Sequence, residues 1–183
     1  MTLLHTPPRD EDFYAPDFAL QNIDNKTLTL ADIKGPKGLL LLFICNHCPY
    51  VKAIIERLVT DCKILQTSGI GVAAIMSNDT EHYPEDSFEN MKIFAQKNSF
   101  SFPYLIDETQ DVARAYGAVC TPDIFGFNTQ GVLQYRGRCD SAGANPANET
   151  TRREMLEAMQ RIADVGVGPH QQFPSMGCSI KWK

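Results

Sequence analysis

Residues 38–48 read GLLLLFICNHC, and this run carries the strongest structural signal in the chain. Its unbroken apolar part, Leu39–Ile44, is typical of a central strand that is buried on both faces. After Cys48, apolar residues recur at helical spacing and predict an amphipathic helix of about four turns. They are Val51, Ile54, Ile55, Leu58, Cys62 and Leu65. Cys45 and Cys48 therefore lie where a buried strand passes into a helix.

Outward from this run, the predicted elements follow in the order β-hairpin, β, α, β, α, β, α, β, β, α. Alternating apolar residues predict the first hairpin within residues 16–30 and the closing hairpin within residues 123–135. The βαβ units imply parallel pairing, and the hairpins imply antiparallel pairing. The sequence thus predicts an α/β fold with a mixed central sheet flanked by helices, an N-terminal β-hairpin and an extended C-terminal tail.

The length of 183 residues favours a single folded domain. We expect a polar leader over residues 1–13, the domain over residues 14–164, and a tail over residues 165–183 that packs on or near the domain. Capping-box patterns at Asp86–Glu89 and Thr151–Glu154 predict where two of the helices begin.

Composition and charge disfavour several classes of function. The chain has 17 basic and 22 acidic residues, a net charge of −5, and no cluster of Lys and Arg that would neutralise phosphates. Its apolar runs are too short to span a bilayer, and the N-terminus becomes polar before a signal peptide could form. We therefore expect a cytoplasmic protein that binds neither nucleic acid nor a membrane.

Cys45 and Cys48 are the chemically distinctive pair among the six cysteines. A structural disulfide framework is disfavoured in a reducing compartment, whereas Cys-x-x-Cys beside a βαβ pattern is a redox signature. The first turn of a helix stabilises a thiolate, and a protonated His47 between the cysteines would act in the same direction. The alternatives are two buried structural cysteines or half of a zinc site.

Several further motifs join this pair in a family resemblance. They are Tyr14–Leu20, the Asp24/Lys26 turn, Pro49 after Cys48, Thr121-Pro122, and the segments 77–87 and 174–183. Together they resemble the thioredoxin superfamily, in particular its alkyl hydroperoxide reductase/thiol-specific antioxidant (redoxin) branch and a peroxiredoxin-like subgroup. The resemblance covers roughly residues 14–183. It implies a thioredoxin-like fold and thiol redox activity.

Within that resemblance we favour a thiol-disulfide oxidoreductase with an antioxidant role. Cys45 would attack a substrate disulfide and Cys48 would resolve the mixed disulfide, with His47 as electrostatic tuner. Thr121 and Pro122 would hold the substrate strand beside the sulfurs by edge pairing. No organic cofactor is implied, and an external thiol would supply the reducing equivalents.

A peroxiredoxin-type peroxidase is the first alternative. Cys48 followed by proline resembles a peroxidatic cysteine, but Cys45 occupies the position of the family's threonine. Thr121-Pro122 stands where the peroxide-activating arginine is expected, which leaves Arg136 and Arg138 as candidate substitutes. The substrate would then be a peroxide instead of a protein disulfide.

The second alternative is a soft-metal module in which Cys45, His47, Cys48 and Cys120 bind zinc or copper(I). Cys120 is also a candidate redox thiol, because it directly precedes Thr121-Pro122. Cys178 is another, since the tail could bring a resolving thiol to Cys48. For both, simple burial in the core is the competing interpretation.

Overall fold

Ten strands and five α-helices make up the regular structure of residues 2–183, the residues that the computed structural model describes. The strands are β1 (Leu3–His5), β2 (Ala19–Asn22), β3 (Thr27–Thr29), β4 (Leu39–Phe43), β5 (Gly71–Met76), β6 (Tyr104–Ile106), β7 (Cys120–Thr121), β8 (Asp123–Phe127), β9 (Leu133–Arg136) and β10 (Met176–Ser179). The helices are α1 (Leu30–Ile33), α2 (Pro49–Thr67), α3 (Phe88–Lys97), α4 (Asp111–Tyr116) and α5 (Glu154–Val165), with a 3-10 turn at Pro84–Asp86.

Seven strands form the central sheet, in the order β3-β2-β6-β5-β4-β8-β9. The pairs β4–β5 and β5–β6 are parallel, whereas β8 and β9 on one side and β2 and β3 on the other pair antiparallel. This arrangement confirms the predicted mixed sheet and both hairpins. It also places the start of β8 beside the end of β4, with Asp123 opposite Phe43.

Strand β4 is held by apolar packing on both of its faces. Leu40 and Leu42 pack with α2, α3 and α5 in one core, and Leu39 and Leu41 pack with Tyr116 of α4 in the other. All four leucines are at most 1% exposed, and fully burying a leucine contributes about 1.5–3 kcal/mol. The chain that leaves β4 toward Cys45 therefore starts from a rigid support.

A smaller sheet joins the two ends of the chain in the order β1-β10-β7. Its strands are antiparallel, and Cys178 of β10 lies between Leu3 of β1 and Thr121 of β7. The polar leader expected over residues 1–13 thus contains a strand, Leu3–His5, that was not predicted from the sequence. That strand obtains its hydrogen bonds from β10 at the far end of the chain, and local periodicity cannot reveal such a pairing.

Both helix starts predicted from capping boxes need correction. Helix α5 begins at Glu154 with Arg153 as its N-cap, while the Thr151 hydroxyl accepts from the Asn148 amide instead of capping α5. Helix α3 begins at Phe88, and the Ser87 hydroxyl accepts from the Asn90 amide at 3.4 Å. Asp86 is therefore available for contacts elsewhere.

Candidate active site

Cys45 and Cys48 lie in the turn that connects β4 to α2. Cys48 is the N-cap of α2, and Pro49 occupies the first helical position, where its missing N–H costs no hydrogen bond. The two thiols interact with each other, and both are buried, Cys45 being 1% and Cys48 0% exposed. The strand-to-helix junction thus forms as predicted, with its sulfurs covered by protein.

The Thr121–Pro122 peptide is cis and faces the two sulfurs. Cys48 Sγ lies 3.1 Å from the Thr121 carbonyl oxygen, and Thr121 Oγ1 lies 3.4 Å from Cys45 Sγ. The pairing of β4 with β8 produces this arrangement, since Pro122 immediately precedes β8. The structure therefore brings four of the predicted site residues together: Cys45, Cys48, Thr121 and Pro122.

Asp86, the fully buried last residue of the 3-10 turn, fixes the backbone between the cysteines. Its Oδ1 accepts from the backbone amides of Asn46 at 2.8 Å and His47 at 3.3 Å. Its Oδ2 accepts from Asn78 Nδ2 at 2.8 Å and contacts His47 Nδ1 at 2.7 Å. One carboxylate thus orients the whole Cys-x-x-Cys turn.

The Nδ1 atom of His47 lies closer to the Asp86 carboxylate than to the Cys45 sulfur. A carboxylate only accepts hydrogen bonds, so the proton between them lies on His47 Nδ1 and is donated to Asp86. The same nitrogen is 3.9 Å from Cys45 Sγ, and the ring stacks on Tyr83 with centroids 5.8 Å apart. The tuning of Cys45 by His47 stays a prediction, because Asp86 shares the histidine proton.

Asp86 is the site residue that sequence reasoning missed, because its position before a helix suggested a cap. The available signal was that it follows β5, whose carboxyl end is where α/β sheets place their sites. Asn78 also follows β5, and it links Asp86 to the tail by accepting from the Lys181 amide at 2.9 Å. Asp79 instead contacts His82 at 2.5 Å.

The charge of the dithiol is unevenly distributed. Hydrogen bonds from the Cys45 thiol, then from Cys178 and Thr121, lower the pKa of Cys48 against the opposing effect of burial. The hydrogen bond to Cys48, burial, and the negative charge of Asp86 raise the pKa of Cys45. These effects favour the negative charge of the reduced pair on Cys48, next to the protonated Cys45.

This distribution predicts that the reduced protein contains a thiolate at pH values well below about 8.5, the usual pKa of a cysteine. We expect the ultraviolet thiolate absorbance at about pH 7 to correspond to one sulfur per chain. Cys48→Ser should remove it. Cys62→Ala is the matched control, because burial raises the pKa of Cys62 on the same helix, and it should leave the absorbance unchanged. An unchanged absorbance in Cys48→Ser would place the thiolate on another cysteine.

The other two candidate thiols occupy different environments. Cys178 Sγ lies 3.1 Å from Cys48 Sγ. Side chains of successive strand residues point to opposite faces, so Cys120 faces away from Thr121 and its thiol contacts the Pro122 carbonyl oxygen at 3.6 Å. Burial and the nearby Asp123 raise the pKa of Cys120. The structure thus brings Cys178 into contact with Cys48, whereas the thiol of Cys120 contacts a backbone carbonyl oxygen.

The edge of β7 beside the sulfurs is occupied by the protein's own tail. Strand β10 pairs antiparallel with β7, with Cys178 opposite Thr121. The sequence predicts that a substrate strand binds at Thr121, and in this conformation β10 takes that place.

The hydrogen bonds of both candidate arginines are made to groups other than the sulfurs. Arg136 donates to Asp123 at 2.9 Å and to the Gly117 carbonyl, and Arg138 donates to Glu154 at 2.6 Å. Both guanidinium groups are held by carboxylates, and a role for either arginine in activating a peroxide stays a prediction.

A potential metal-binding group exists, but it differs from the predicted quartet. Ligand atoms of Cys45, His47 and Asp86 all lie within 4.8 Å of one another. Cys48 and Cys120 are absent from this group, and Asp86 already accepts hydrogen bonds on both oxygens. A metal ion would have to replace the contact between His47 and Asp86.

The described helices include none with the length and apolar character needed to cross a bilayer.

Comparison with known proteins finds similarity to proteins that are named thiol-disulfide oxidoreductases. Thiol-disulfide oxidoreductase ResA of Geobacillus thermodenitrificans is 26% identical over 120 residues, 66% of this chain, and the match spans 64% of that protein's length. An uncharacterized conserved protein from Geobacillus kaustophilus has a crystal structure with a TM-score of 0.93 and 41% identity, covering 100% of this chain and 97% of that one.

The thioredoxin domain of a thiol-disulfide oxidoreductase from Bacteroides vulgatus superposes with a TM-score of 0.59 at 17% identity, over 70% of this chain and 89% of that one. This likeness shows that the fold is thioredoxin-like. The family model described as AhpC/TSA matches residues 14–136, more than half of the sequence. The chain therefore belongs to the AhpC/TSA family.

Proposed function

We propose that this protein is a thiol-disulfide oxidoreductase whose redox centre is the Cys45–Cys48 pair. The observation that carries the proposal is the contact of both sulfurs with Thr121, at the N-terminus of α2. A helix start stabilises a thiolate, and a thiolate is the species that attacks a disulfide. The similarity to ResA, which is named for this activity, supports the same assignment.

The hydrogen bond between the two thiols gives each cysteine a role. The Cys45 proton passes to the Cys48 thiolate, and the resulting Cys45 thiolate attacks one sulfur of a substrate disulfide. A mixed disulfide forms, and the other substrate sulfur departs as a thiolate. Cys48 then attacks Cys45, which releases the second substrate thiol and carries Cys48's proton to it. The substrate gains two electrons and one proton from the enzyme, its first thiolate takes a second proton from solvent, and the enzyme is left with a Cys45–Cys48 disulfide. An external thiol returns the enzyme to its reduced form.

Access of a protein substrate requires β10 to separate from β7, because both sulfurs are buried. A cleft of about 570 Å³ adjoins this point, lined in part by Tyr50, Pro122 and Met176. A substrate that docks in this cleft can take over the edge of Thr121 as β10 leaves. Edge pairing of an extended segment is a common mode of peptide recognition.

Peroxide reduction is a second candidate function, favoured by the lowered pKa of Cys48. A peroxide is small enough to reach a buried thiolate, whereas a protein substrate is too large to reach it. Cys48 would then take one oxygen as sulfenate and release an alcohol or water, and a neighbouring thiol would condense with it to form a disulfide and water. An antioxidant role is compatible with either substrate.

The test is to measure protein-disulfide reduction and peroxide consumption side by side on the wild-type protein, with dithiothreitol as reductant. We expect faster turnover of the disulfide, because Arg136 and Arg138, the two candidates for activating a peroxide, are both held by carboxylates. Faster peroxide turnover would favour the peroxidase. Turnover of neither substrate, with one metal ion per purified chain, would favour the metal module. A cytoplasmic location stays a prediction from the sequence.

A further inference from the structure

Strand β10 is fixed at the dithiol by its position between two other strands. Its Cys178 is opposite Leu3 on one side and Thr121 on the other. The preceding Gly177 makes this approach feasible, because a Cβ atom there would lie 2.0 Å from the Thr121 carbonyl oxygen. The side chain of Cys178 is therefore positioned by the backbone register of a sheet rather than by a mobile tail.

The result is a three-thiol cluster, formed by Cys45, Cys48 and Cys178, with Cys48 in contact with both of the others. Cys48 Sγ and Cys178 Sγ are 3.1 Å apart although the residues are separated by 130 positions. A disulfide bond is about 2.05 Å long, so these sulfurs need to approach by about 1 Å to bond. Cys178 is 1% exposed, which keeps other thiols away from it.

We propose that Cys178 is a third redox-active thiol, which exchanges into the Cys45–Cys48 disulfide to form a Cys48–Cys178 disulfide. The inference rests on the proposed function, since the dithiol must first be oxidised by a substrate. In the exchange, Cys178 attacks Cys48, the Cys45–Cys48 bond breaks, and the proton lost by Cys178 ends on Cys45. The number of disulfides is unchanged, so no additional oxidant is required.

The environment of Cys178 changes when Cys48 is oxidised. In the reduced cluster, burial and the hydrogen bond to Cys48 raise the pKa of Cys178 to about 12, which keeps it a thiol. Oxidation removes the Cys48 thiolate that accepts this hydrogen bond. One of the two main causes that hold the proton on Cys178 is then absent, and attack on Cys48 becomes easier.

The two disulfides are mutually exclusive, because each uses Cys48. The Cys45–Cys48 form leaves β10 attached only by hydrogen bonds, so the strand can still leave the edge of β7. The Cys48–Cys178 form ties β10 covalently to the start of α2 and restores Cys45 as a thiol. Cys178 would thereby close the substrate edge in the oxidised enzyme.

Tryptic peptides separate these forms directly. Cys45 and Cys48 fall in one peptide, residues 38–52, whereas Cys178 falls in residues 162–181. The full-length protein is oxidised with one molar equivalent of diamide, blocked with N-ethylmaleimide, digested without reductant and analysed by mass spectrometry. We expect a disulfide between peptides 38–52 and 162–181 in the wild type. In Cys45→Ser it should become the main disulfide, and in Cys48→Ser its yield should fall at least tenfold.

The neighbouring Cys120, in peptide 115–136, serves as an internal control in the same digest. A link between 115–136 and 162–181 in comparable yield would overturn the proposal, since it would mean unspecific pairing of buried thiols. Absence of the 38–52 to 162–181 link from wild type and Cys45→Ser, while the wild type forms the Cys45–Cys48 disulfide, would overturn the role of Cys178 alone. If the wild type forms neither disulfide, the proposed oxidoreductase function fails as well.

Discussion

Replacing Cys45 by serine is expected to reduce protein-disulfide turnover by at least about 100-fold. Serine is not ionised near neutral pH and cannot form a disulfide with the substrate or with Cys48. Thr121 Oγ1, 3.4 Å from Cys45 Sγ, can hydrogen bond a serine hydroxyl, so the fold should be preserved. The measurement is the steady-state rate of insulin reduction with dithiothreitol as the final reductant.

Cys48→Ser is expected to lose turnover to a similar extent but for a different reason. Cys45 can still attack, although without the thiolate that accepts its proton, and the mixed disulfide then persists for lack of a resolving sulfur. A stable adduct with a substrate disulfide should therefore accumulate on Cys45 and be detectable by intact mass. Cys62→Ala, which alters a buried cysteine on the apolar side of α2, should retain wild-type turnover.

These two variants also test which cysteine attacks the substrate first. An adduct that accumulates on Cys48 in Cys45→Ser, and none in Cys48→Ser, would reverse the roles of the two cysteines. Peroxide consumption that survives in Cys45→Ser but is lost in Cys48→Ser would instead support the peroxidase, because Cys48 alone would then carry the first chemical step.

The parts of this site that could be predicted from sequence are those with a strong local pattern. The run Leu39–Phe43 is apolar at every position, and a strand buried on both faces requires that pattern. The Cys-x-x-Cys spacing follows it at a helix start, and Thr121-Pro122 precedes the strand that pairs beside β4. These features identified the fold and two sides of the site.

The remaining parts depend on contacts between distant residues. Asp86 resembles a helix cap in sequence, and its role at the dithiol follows from the way the 3-10 turn folds back over residues 46 and 47. Strand β1 is too short for a periodic signal and is fixed only by β10. The distance from Cys178 to Cys48 likewise follows from the register of β10 on β7. In each case the decisive hydrogen bonds are long-range.

Removal of the Asp86 carboxylate is expected to be the most destabilising single change at the site. In Asp86→Ala, the amides of Asn46 and His47, the side chain of Asn78 and the His47 ring all lose their acceptor. Removing one member of a buried set, formed by a charged group and its hydrogen-bond partners, lowers the free energy of unfolding by about 3–5 kcal/mol, because the remaining partners stay buried and unpaired. The free energy of unfolding, measured by urea titration of the reduced protein, should fall by about that amount.

Two further variants distinguish this explanation from a general effect of losing negative charge. Asp86→Asn keeps one oxygen for the two backbone amides, so its loss of stability should be smaller than that of the alanine variant. Glu85→Ala removes the adjacent exposed carboxylate but keeps the backbone carbonyl that accepts from Asn46 Nδ2, and surface changes of this kind usually stay within about 0.5 kcal/mol. Equal losses in Asp86→Ala and Glu85→Ala would show that the four hydrogen bonds to Asp86 do not hold the Cys-x-x-Cys turn in place.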